Sequence, residues 1–250
     1  MVIERSMMID EIKYTIVLSD ETNSLHAAHA AGKAVIGIWH PEKPETSLFP
    51  ADYVVERLED ISEALLERAV RRRFGLPFII SHTDRLLIRE FTIEDLPSIP
   101  FEEEAGEEDQ IFLSDETLYA YIKNQYGFFE YGIWAVIRHR DNRLVGKAGI
   151  SPICLHEHLP GKLLSLPKDS FPDMSAVHKA ASDLGESLSD VQLSYHIFRP
   201  YRRQGYGLEA CQAILPYTKT HISPHIFLRI HPDNQASLAM ADRLGFRVIP

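Results

Sequence analysis

The first apolar run along the chain, Tyr14 to Leu18, ends in Ser19-Asp20. A small-residue stretch with helical character, Ser24 to Ala31, stops at Gly32, which takes left-handed dihedrals without steric cost. A second apolar run, Ala34 to Trp39, follows at once. Two β-branched runs around an alanine-rich helix predict a βαβ unit of Rossmann-like type. After the proline-punctuated stretch His40 to Pro50 come Tyr53-Val54-Val55 and a helix from Asp60 to Arg73. Ile61, Leu65 and Ala69 share one face of that helix, and Arg71, Arg72 and Arg73 close the end where cations suit its dipole.

The style of the pattern changes between Ser81 and Asp84, which predicts two domains, 1–82 and 83–250. The second opens with a strand, Arg85 to Phe91, followed by Thr92 as an N-cap with Asp95 three residues on. Ser114 caps a helix reaching Gln125, and Tyr131 to His139 and Leu144 to Ile153 predict a hairpin turning at Asp141-Asn142. A long insertion, His156 to Asp190, precedes a strand, Val191 to Phe198, then a glycine turn and a helix from Gly207 to Leu215. A last strand, Ile226 to His231, leads into a helix from Asn234 to Leu244, stopped by Gly245. The order β α α β β β α β α is mixed rather than strictly alternating, so the fold class is α/β with α+β character.

Composition narrows the function classes. A formal net charge of −10 argues against a nucleic-acid binder, which needs a basic surface to follow phosphates. Two cysteines, Cys154 and Cys211, are too few for a disulfide framework and suggest a reducing compartment. Glu4, Asp10 and Glu11 interrupt any signal-like run near Met1, and no stretch approaches a membrane span. A cytoplasmic protein without membrane or nucleic-acid partners is expected.

The candidate chemistry lies at Arg202-Arg203-Gln204-Gly205-Tyr206-Gly207, between a predicted strand and a predicted helix. Glycines there let the backbone turn tightly with its N–H groups converging, and the helix adds its positive end. That is a cradle for a diphosphate, to which the arginines add charge-assisted donors. A glycine pair alone is also what many ordinary turns contain. The stretch resembles the acyl-CoA loop of the GNAT-type N-acetyltransferases, and further matches fall in that family's order. They are Arg85-Leu86-Leu87-Ile88-Arg89 as first strand, Leu193 to Ile197 before the loop, and Asn234-Gln235-Ala236-Ser237 followed by Leu244-Gly245-Phe246. The pattern is most similar to the branch containing the ribosomal-protein-alanine acetyltransferases, and covers about Asp84 to Pro250.

The resemblance implies a GNAT fold whose mixed, mostly antiparallel sheet splits at its central strands, with acetyl-CoA as cosubstrate, an amine as acceptor and no metal. The amine is a small molecule or a protein N-terminus, attacking directly in a ternary complex. Amides around Ile197, Phe198 and Arg199 would hold the pantetheine arm and polarise the thioester carbonyl. Arg202, Arg203, Gln204, Gly205, Tyr206, Gly207 and Leu208 would hold the pyrophosphate. Asn234 would bond the arm or position a water, and Ser237 would assist the departing thiol, although both residues also serve as ordinary helix caps. The position where relatives often carry a basic Glu is Gln192, which cannot act as a base. His196, His156, His231 and Glu130 are the substitutes the sequence offers. An α-amine, with a pKa of about 7.9, is roughly a tenth neutral at pH 7, whereas a lysine amine is neutral in about four parts in ten thousand. A low-pKa amine is therefore the expected acceptor. The runner-up reading is a non-catalytic acyl-CoA-binding module. Family members usually continue through one or two more strands after the Gly-Phe pair, so a truncated end or a strand from a partner chain is expected here.

The first segment resembles the closing half of a haloacid-dehalogenase-like (HAD-like) domain, on Tyr14 to Asp20, His29 to Gly32, Val35 to Ile38 and Ala51 to Val55. Asp20 matches a magnesium-binding acid of that family, but the nucleophile motif Asp-x-Asp-x-Thr is absent. One carboxylate cannot hold Mg²⁺ and perform phosphoryl transfer, so a non-catalytic half-domain is expected. It would dock on the transferase or pair with another chain, as in a homodimer. Cys154, His156 and His158 match no standard zinc spacing. The acidic run Glu102 to Asp109 reads as a solvated loop or as attraction for a cationic acceptor. Tyr119, Tyr121, Tyr126, Phe128 and Phe129 cluster where the resemblance puts the acceptor pocket, and core packing explains them equally well.

Overall fold

The structure, a computed structural model, describes residues 1–100, 107–152, 161–166 and 190–248, with side chains from 110 in the second stretch. The chain forms two compact units, Met1–Phe78 and Ile79–Pro250. The division falls slightly before the expected 82/83, because Ile79–His82 is a strand of the second sheet. No helix among the described residues is long and apolar enough to cross a membrane.

In the first unit, strands β1 (Val2–Ile9), β2 (Ile12–Ser19), β3 (Ala34–Ile38) and β4 (Tyr53–Val55) form one sheet in sequence order. β2, β3 and β4 run parallel, with α1 (Thr22–Ala30) connecting the first two, which is the βαβ unit the sequence predicts. β3 is buried at all five positions, as a parallel strand covered on both faces requires. Alternation sorts the residues of β2 and β3: Val17 and Val35 meet Leu25 and Ala28 of α1, while Ile16, Leu18, Ile36 and Ile38 pack with Ala69 and Val70. Those last two belong to α2 (Glu63–Phe74), capped by Ser62, whose side chain accepts from the Leu65 amide at 3.2 Å, and ended by left-handed Gly75. β1 was not foreseen. It pairs antiparallel with β2 through a two-residue turn at Asp10-Glu11, and its exposed Glu4, Arg5 and Ser6 hide any apolar alternation.

The second unit is an eight-stranded sheet. Its strands are β5 (Ile79–His82), β6 (Leu86–Arg89), β7 (Ile133–Arg138), β8 (Arg143–Pro152), β9 (Lys162–Ser165), β10 (Val191–Ile197), β11 (Ile226–Ile230) and β12 (Arg247–Val248). The order is β12-β9-β11-β10-β8-β7-β6-β5, antiparallel throughout except between β10 and β11. Helix α3 (Asp115–Tyr121) starts from a Ser114–Thr117 capping box and continues as a π-helix, Ile122–Phe129. Thr92 and Asp95 do form a capping box, but on a 3-10 turn, Ile93–Ser98. Helix α4 (Tyr206–His221) is the crossover between β10 and β11 and packs across β5, β6, β8 and β10 through Ala210, Cys211, Ile214 and Leu215. Helix α5 (Gln235–Arg243) follows β11.

The strand that follows the Gly-Phe pair is β12, two residues long, which pairs with β9 from the long insertion, and β9 in turn covers the outer edge of β11. The remainder of the insertion, and with it Cys154, His156 and His158, lies outside the described residues. So do Glu102, Glu103 and Glu104 of the acidic run, whose later residues begin a 3-10 helix, Glu107–Phe112.

Candidate active site

The two edges of β10 are used differently. Along one, all seven residues pair with β8, from Val191 opposite Pro152 to Ile197 opposite Gly146. Along the other, only Val191 and Gln192 pair with β11, opposite Ile226 and Phe227. Beyond them the two strands part. The Phe198 amide donates to Val145 O at 3.0 Å on the β8 side, and the Val191 amide to His225 O at 3.1 Å on the β11 side. Peptide groups alternate sides along a strand, so Leu193, Tyr195 and Ile197 turn their amides to the β11 side, into the gap. A cavity of about 400 Å³ fills it, walled by Gln192 to His196 on one strand and Leu228 to Ile230 on the other.

At the far end of β10 the chain turns through Arg199–Tyr201 and reaches two residues with positive φ, Arg203 (61°) and Gly205 (83°). α4 begins immediately after. Its first intrahelical bond is from the Glu209 amide to Gly205 O at 3.1 Å. The amides of Tyr206, Gly207 and Leu208 therefore stand at the open, positive end of a 16-residue helix, and the residue before them has no side chain to cap them. A second cavity, about 860 Å³, lies over this helix start and is lined by Ile197, Arg202, Arg203, Gly205 to Leu208 and Met240. Tyr195, His196, Asn234 and Ser237 line both cavities, so the split in the sheet leads into the glycine turn. A Cβ on Gly207 would stand 3.4 Å from Ile197 Cγ1 and 3.5 Å from Met240 Sδ. A longer side chain would fill the cleft.

The turn is held from the start of β6. Arg85 donates to Gln204 O at 2.9 Å and to the Glu209 carboxylate at 2.6 Å, and its guanidinium lies 4.8 Å from the centre of the Tyr206 ring. Thr83 Oγ1 donates to the other Glu209 oxygen at 2.5 Å. Burial works against the Glu209 charge, but the hydrogen bonds from Thr83 and Arg85 outweigh it and hold the carboxyl below its usual range. On the other wall, the Tyr195 hydroxyl is buried with no hydrogen bond among the described residues. Burial pushes this phenol up to about 12, with the neighbouring Ser237 hydroxyl pulling the other way without reaching hydrogen-bond geometry. Cys211, on α4, is fully enclosed, and burial raises its thiol well above the ordinary value.

Most of the sequence-predicted residues meet here. Ile197, Arg202, Arg203, Gly205, Tyr206, Gly207, Leu208, Asn234 and Ser237 line the second cavity, and Gln192 lines the first. Three stand apart. Phe198 is buried and its amide is taken by Val145. Arg199 is exposed and opens the 3-10 turn, and the Gln204 carbonyl is held by Arg85. Arg202 Nε reaches back to Ile197 O at 2.8 Å. Asn234 does act as a helix cap, its Oδ1 accepting from the Ser237 amide at 3.0 Å. Among the alternative bases, His196 and His231 line the first cavity and Glu130 does not, while His156 lies outside the described residues. The aromatic cluster divides. Tyr126 is buried and donates to Ile133 O, Tyr121 Oη accepts from the Ile133 amide at 2.6 Å, and Tyr119, Phe128 and Phe129 are exposed. None of the five lines the first cavity, where Phe112 and Ile133 stand instead. The sequence reading missed the buried hydroxyl of Tyr195, which depends on a helix distant in sequence, and the clamp of Arg85, Thr83 and Glu209, whose partners are too distant in sequence to be paired by pattern.

The profile of the acetyltransferase (GNAT) domain matches residues 85–247, well over half of the chain. The chain belongs to the GNAT acetyltransferase family. It is accordingly an acyltransferase, of a family that takes acetyl-CoA as cosubstrate and an amine as acceptor. Similar solved structures include a protein assigned to the GnaT acetyltransferase family from Bordetella pertussis, at 17% identity over 69% of this chain and 90% of that one, TM-score 0.46. A GNAT-family acetyltransferase from Bacillus anthracis matches at 19% identity over 68% and 84%, TM-score 0.42. A ribosomal-protein-alanine N-acetyltransferase from Brucella melitensis matches at 18% identity over 64% and 84%, TM-score 0.40. The residues of this GNAT domain suit the cosubstrate's two ends: uncapped helix amides and arginines for phosphate, strand amides in a narrow gap for an amide-bearing arm.

Proposed function

We propose that the protein transfers the acetyl group of acetyl-CoA to a low-pKa primary amine, a protein N-terminal α-amine or a small-molecule amine, by direct attack in a ternary complex. The observation that carries this is the parting of β10 from β11 after two residue pairs, into a gap that runs on to the start of α4. The amides of Tyr195 and Ile197 would receive the pantetheine arm as an added strand, and an amide there is placed to polarise a thioester carbonyl. The amides of Tyr206 to Leu208, with Arg203, would hold the diphosphate. The bound cosubstrate supplies an activated acetyl group on a thiol leaving group. Ser237, on the first turn of α5, faces both cavities and would stand by the departing sulfur. Gln192, on the acceptor side, can orient an amine by hydrogen bonding but cannot take its proton, which favours an acceptor already partly neutral at pH 7.

The test is thiol release from acetyl-CoA with a panel of amines graded by pKa. Turnover concentrated among α-amines and other weakly basic amines is expected. Binding of acetyl-CoA without release for any amine would leave an acyl-CoA-binding module, and absence of binding would remove the proposal entirely.

For the first unit we keep the reading of a non-catalytic, HAD-like half-domain in a cytoplasmic protein. Its parallel β2-β3-β4 order and the position of Asp20 at the end of β2 favour it, as does the engagement of Asp20 with the Met1 ammonium and with His40 at 3.4 Å. A homodimer through this unit is the assembly that goes with it, and sedimentation of the full chain checks it.

A further inference from the structure

Buried hydroxyls nearly always have a hydrogen-bond partner, and one without calls for a reason. Among the described residues the Tyr195 hydroxyl is such a group, carried by a residue that lines both the strand gap and the cavity over the glycine turn. Its neighbours differ in what they can offer. Cys211 is fully enclosed and, with its thiol raised by burial, is a weak donor and a weaker acceptor. Ser237 lies alongside, held at the start of α5 by the bond from its own amide to Asn234 Oδ1, and is a residue that lines both cavities. A small approach of either side chain completes a Tyr195-to-Ser237 hydrogen bond, the kind of adjustment that reactive complexes make.

We propose that Tyr195 and Ser237 form a paired-hydroxyl seat for the departing sulfur of coenzyme A. Tyr195 donates to Ser237 Oγ, which aims the Ser237 proton at the sulfur. This rests on the acetyl-transfer reading above. In the step concerned, the bond between the acceptor nitrogen and the acetyl carbon forms and the carbon–sulfur bond breaks. Sulfur keeps the electron pair, the surplus proton of the nitrogen passes to water, and the thiolate takes a proton from water on release. Neither hydroxyl changes its protonation. Burial of the phenol serves this role, because it keeps Tyr195 a neutral donor throughout the working pH range. Tyr195 is thus a positioning residue acting through Ser237, and the pair stabilises charge that grows on sulfur only as the bond breaks.

Tyr195→Phe retains the ring and its packing, so it isolates the hydroxyl. Three measurements on the full chain test the pair. Tyr195→Phe and Ser237→Ala should each lower kcat by about tenfold or more with KM for acetyl-CoA within about twofold, and the double variant should be little worse than either, as residues acting as a unit are non-additive. Independently of turnover, the thiol of bound coenzyme A, followed by ultraviolet absorbance of its thiolate, should ionise at lower pH than the free thiol, by about one unit against its usual value near 8.5. That shift should vanish in both variants. Calorimetry with desulfo-coenzyme A, which lacks the sulfur, should give equal affinity for the wild type and for Tyr195→Phe. Wild-type kcat in Tyr195→Phe, or an unshifted thiol in the wild type, overturns the seat while leaving acetyl transfer intact. A wild type that neither binds coenzyme A nor releases thiol overturns the transfer reading itself.

Discussion

The protein contains two turns of similar outline, each leading from a strand into a helix that crosses to a parallel neighbour, one after β2 and one after β10. After β2 the turn is Ser19-Asp20-Glu21, and parallel pairing with β3 runs to the last residue of the strand, Ser19 opposite Gly37. Ser19 Oγ accepts from the Glu21 amide, and the carboxylates of Asp20 and Glu21 both engage the Met1 ammonium. After β10 the connection carries three arginines, Arg199, Arg202 and Arg203, one glycine, Gly205, and no carboxylate, and the neighbouring strand has already moved away. The comparison separates outline from function. A strand, a turn and the positive end of a helix occur in both, but acidic side chains occupy the first and an open, basic cleft remains at the second. An anion cradle therefore needs two further conditions: a strand neighbour that parts early, and a turn that carries basic rather than acidic side chains, since neither helix start is capped by a side chain.

The strongest way to break the comparison is to close the second turn. Gly207→Leu would drive a side chain between Ile197 and Met240. An acetyl-CoA affinity about a hundredfold weaker is expected by calorimetry, equivalent to roughly 2.7 kcal/mol, with the melting temperature little changed because the branch points into the cavity. Next comes Arg85, which holds the turn without lining either cavity. Arg85→Ala should raise KM for acetyl-CoA by about tenfold while kcat stays near wild type, and Arg85→Lys should recover only part, since a lysine cannot bridge the Gln204 carbonyl and Glu209 in one planar fork.

A smaller effect follows from Glu209. Its carboxyl is held below the usual range, so the stability it contributes is present above the unfolded-state carboxylate pKa and is lost as pH falls through its lower folded value. Glu209→Gln should flatten that acid limb of the melting curve by a few degrees, the scale on which about 1 kcal/mol moves a domain of this size. The smallest effect belongs to the first turn. Asp20→Asn removes one of the two carboxylates on the Met1 ammonium and the one beside His40, and should leave acetyl-CoA affinity unchanged while shifting melting by only about a degree, as partly exposed ion pairs do.

How much of this was legible in the sequence depends on whether the signal was local. The turn at Arg202 to Gly207 was legible because glycine, arginine and a helix start stand within six positions. The βαβ unit was legible because buried parallel strands are unbroken apolar runs. β1 was not, since one of its faces is solvated and carries Glu4 and Ser6 beside exposed Met8. β5 hid in a run read as the end of the first domain, where its partner β6 supplies the reason for it to be a strand. Tyr195 was quoted within a motif, yet its importance comes from burial beside a helix forty residues further on, which no pattern encodes. The Phe198 amide was assigned to the cosubstrate because strand position was read without register. One residue of register decides which side an amide faces.

The placement of β9 bears on how the molecule is assembled. Among the described residues β9 has no backbone partner in the strands that precede it, and it meets β11 only after roughly sixty further residues have been made, so its pairing is among the least local in the sheet and is expected to form late. Until α4 has crossed over and β11 has docked on the first two residues of β10, Lys162–Ser165 has nothing to zip onto. The widening mouth between β10 and β11 is thus framed before its outer border is fastened, and a nascent chain can shape the cleft first and seal its flank afterwards.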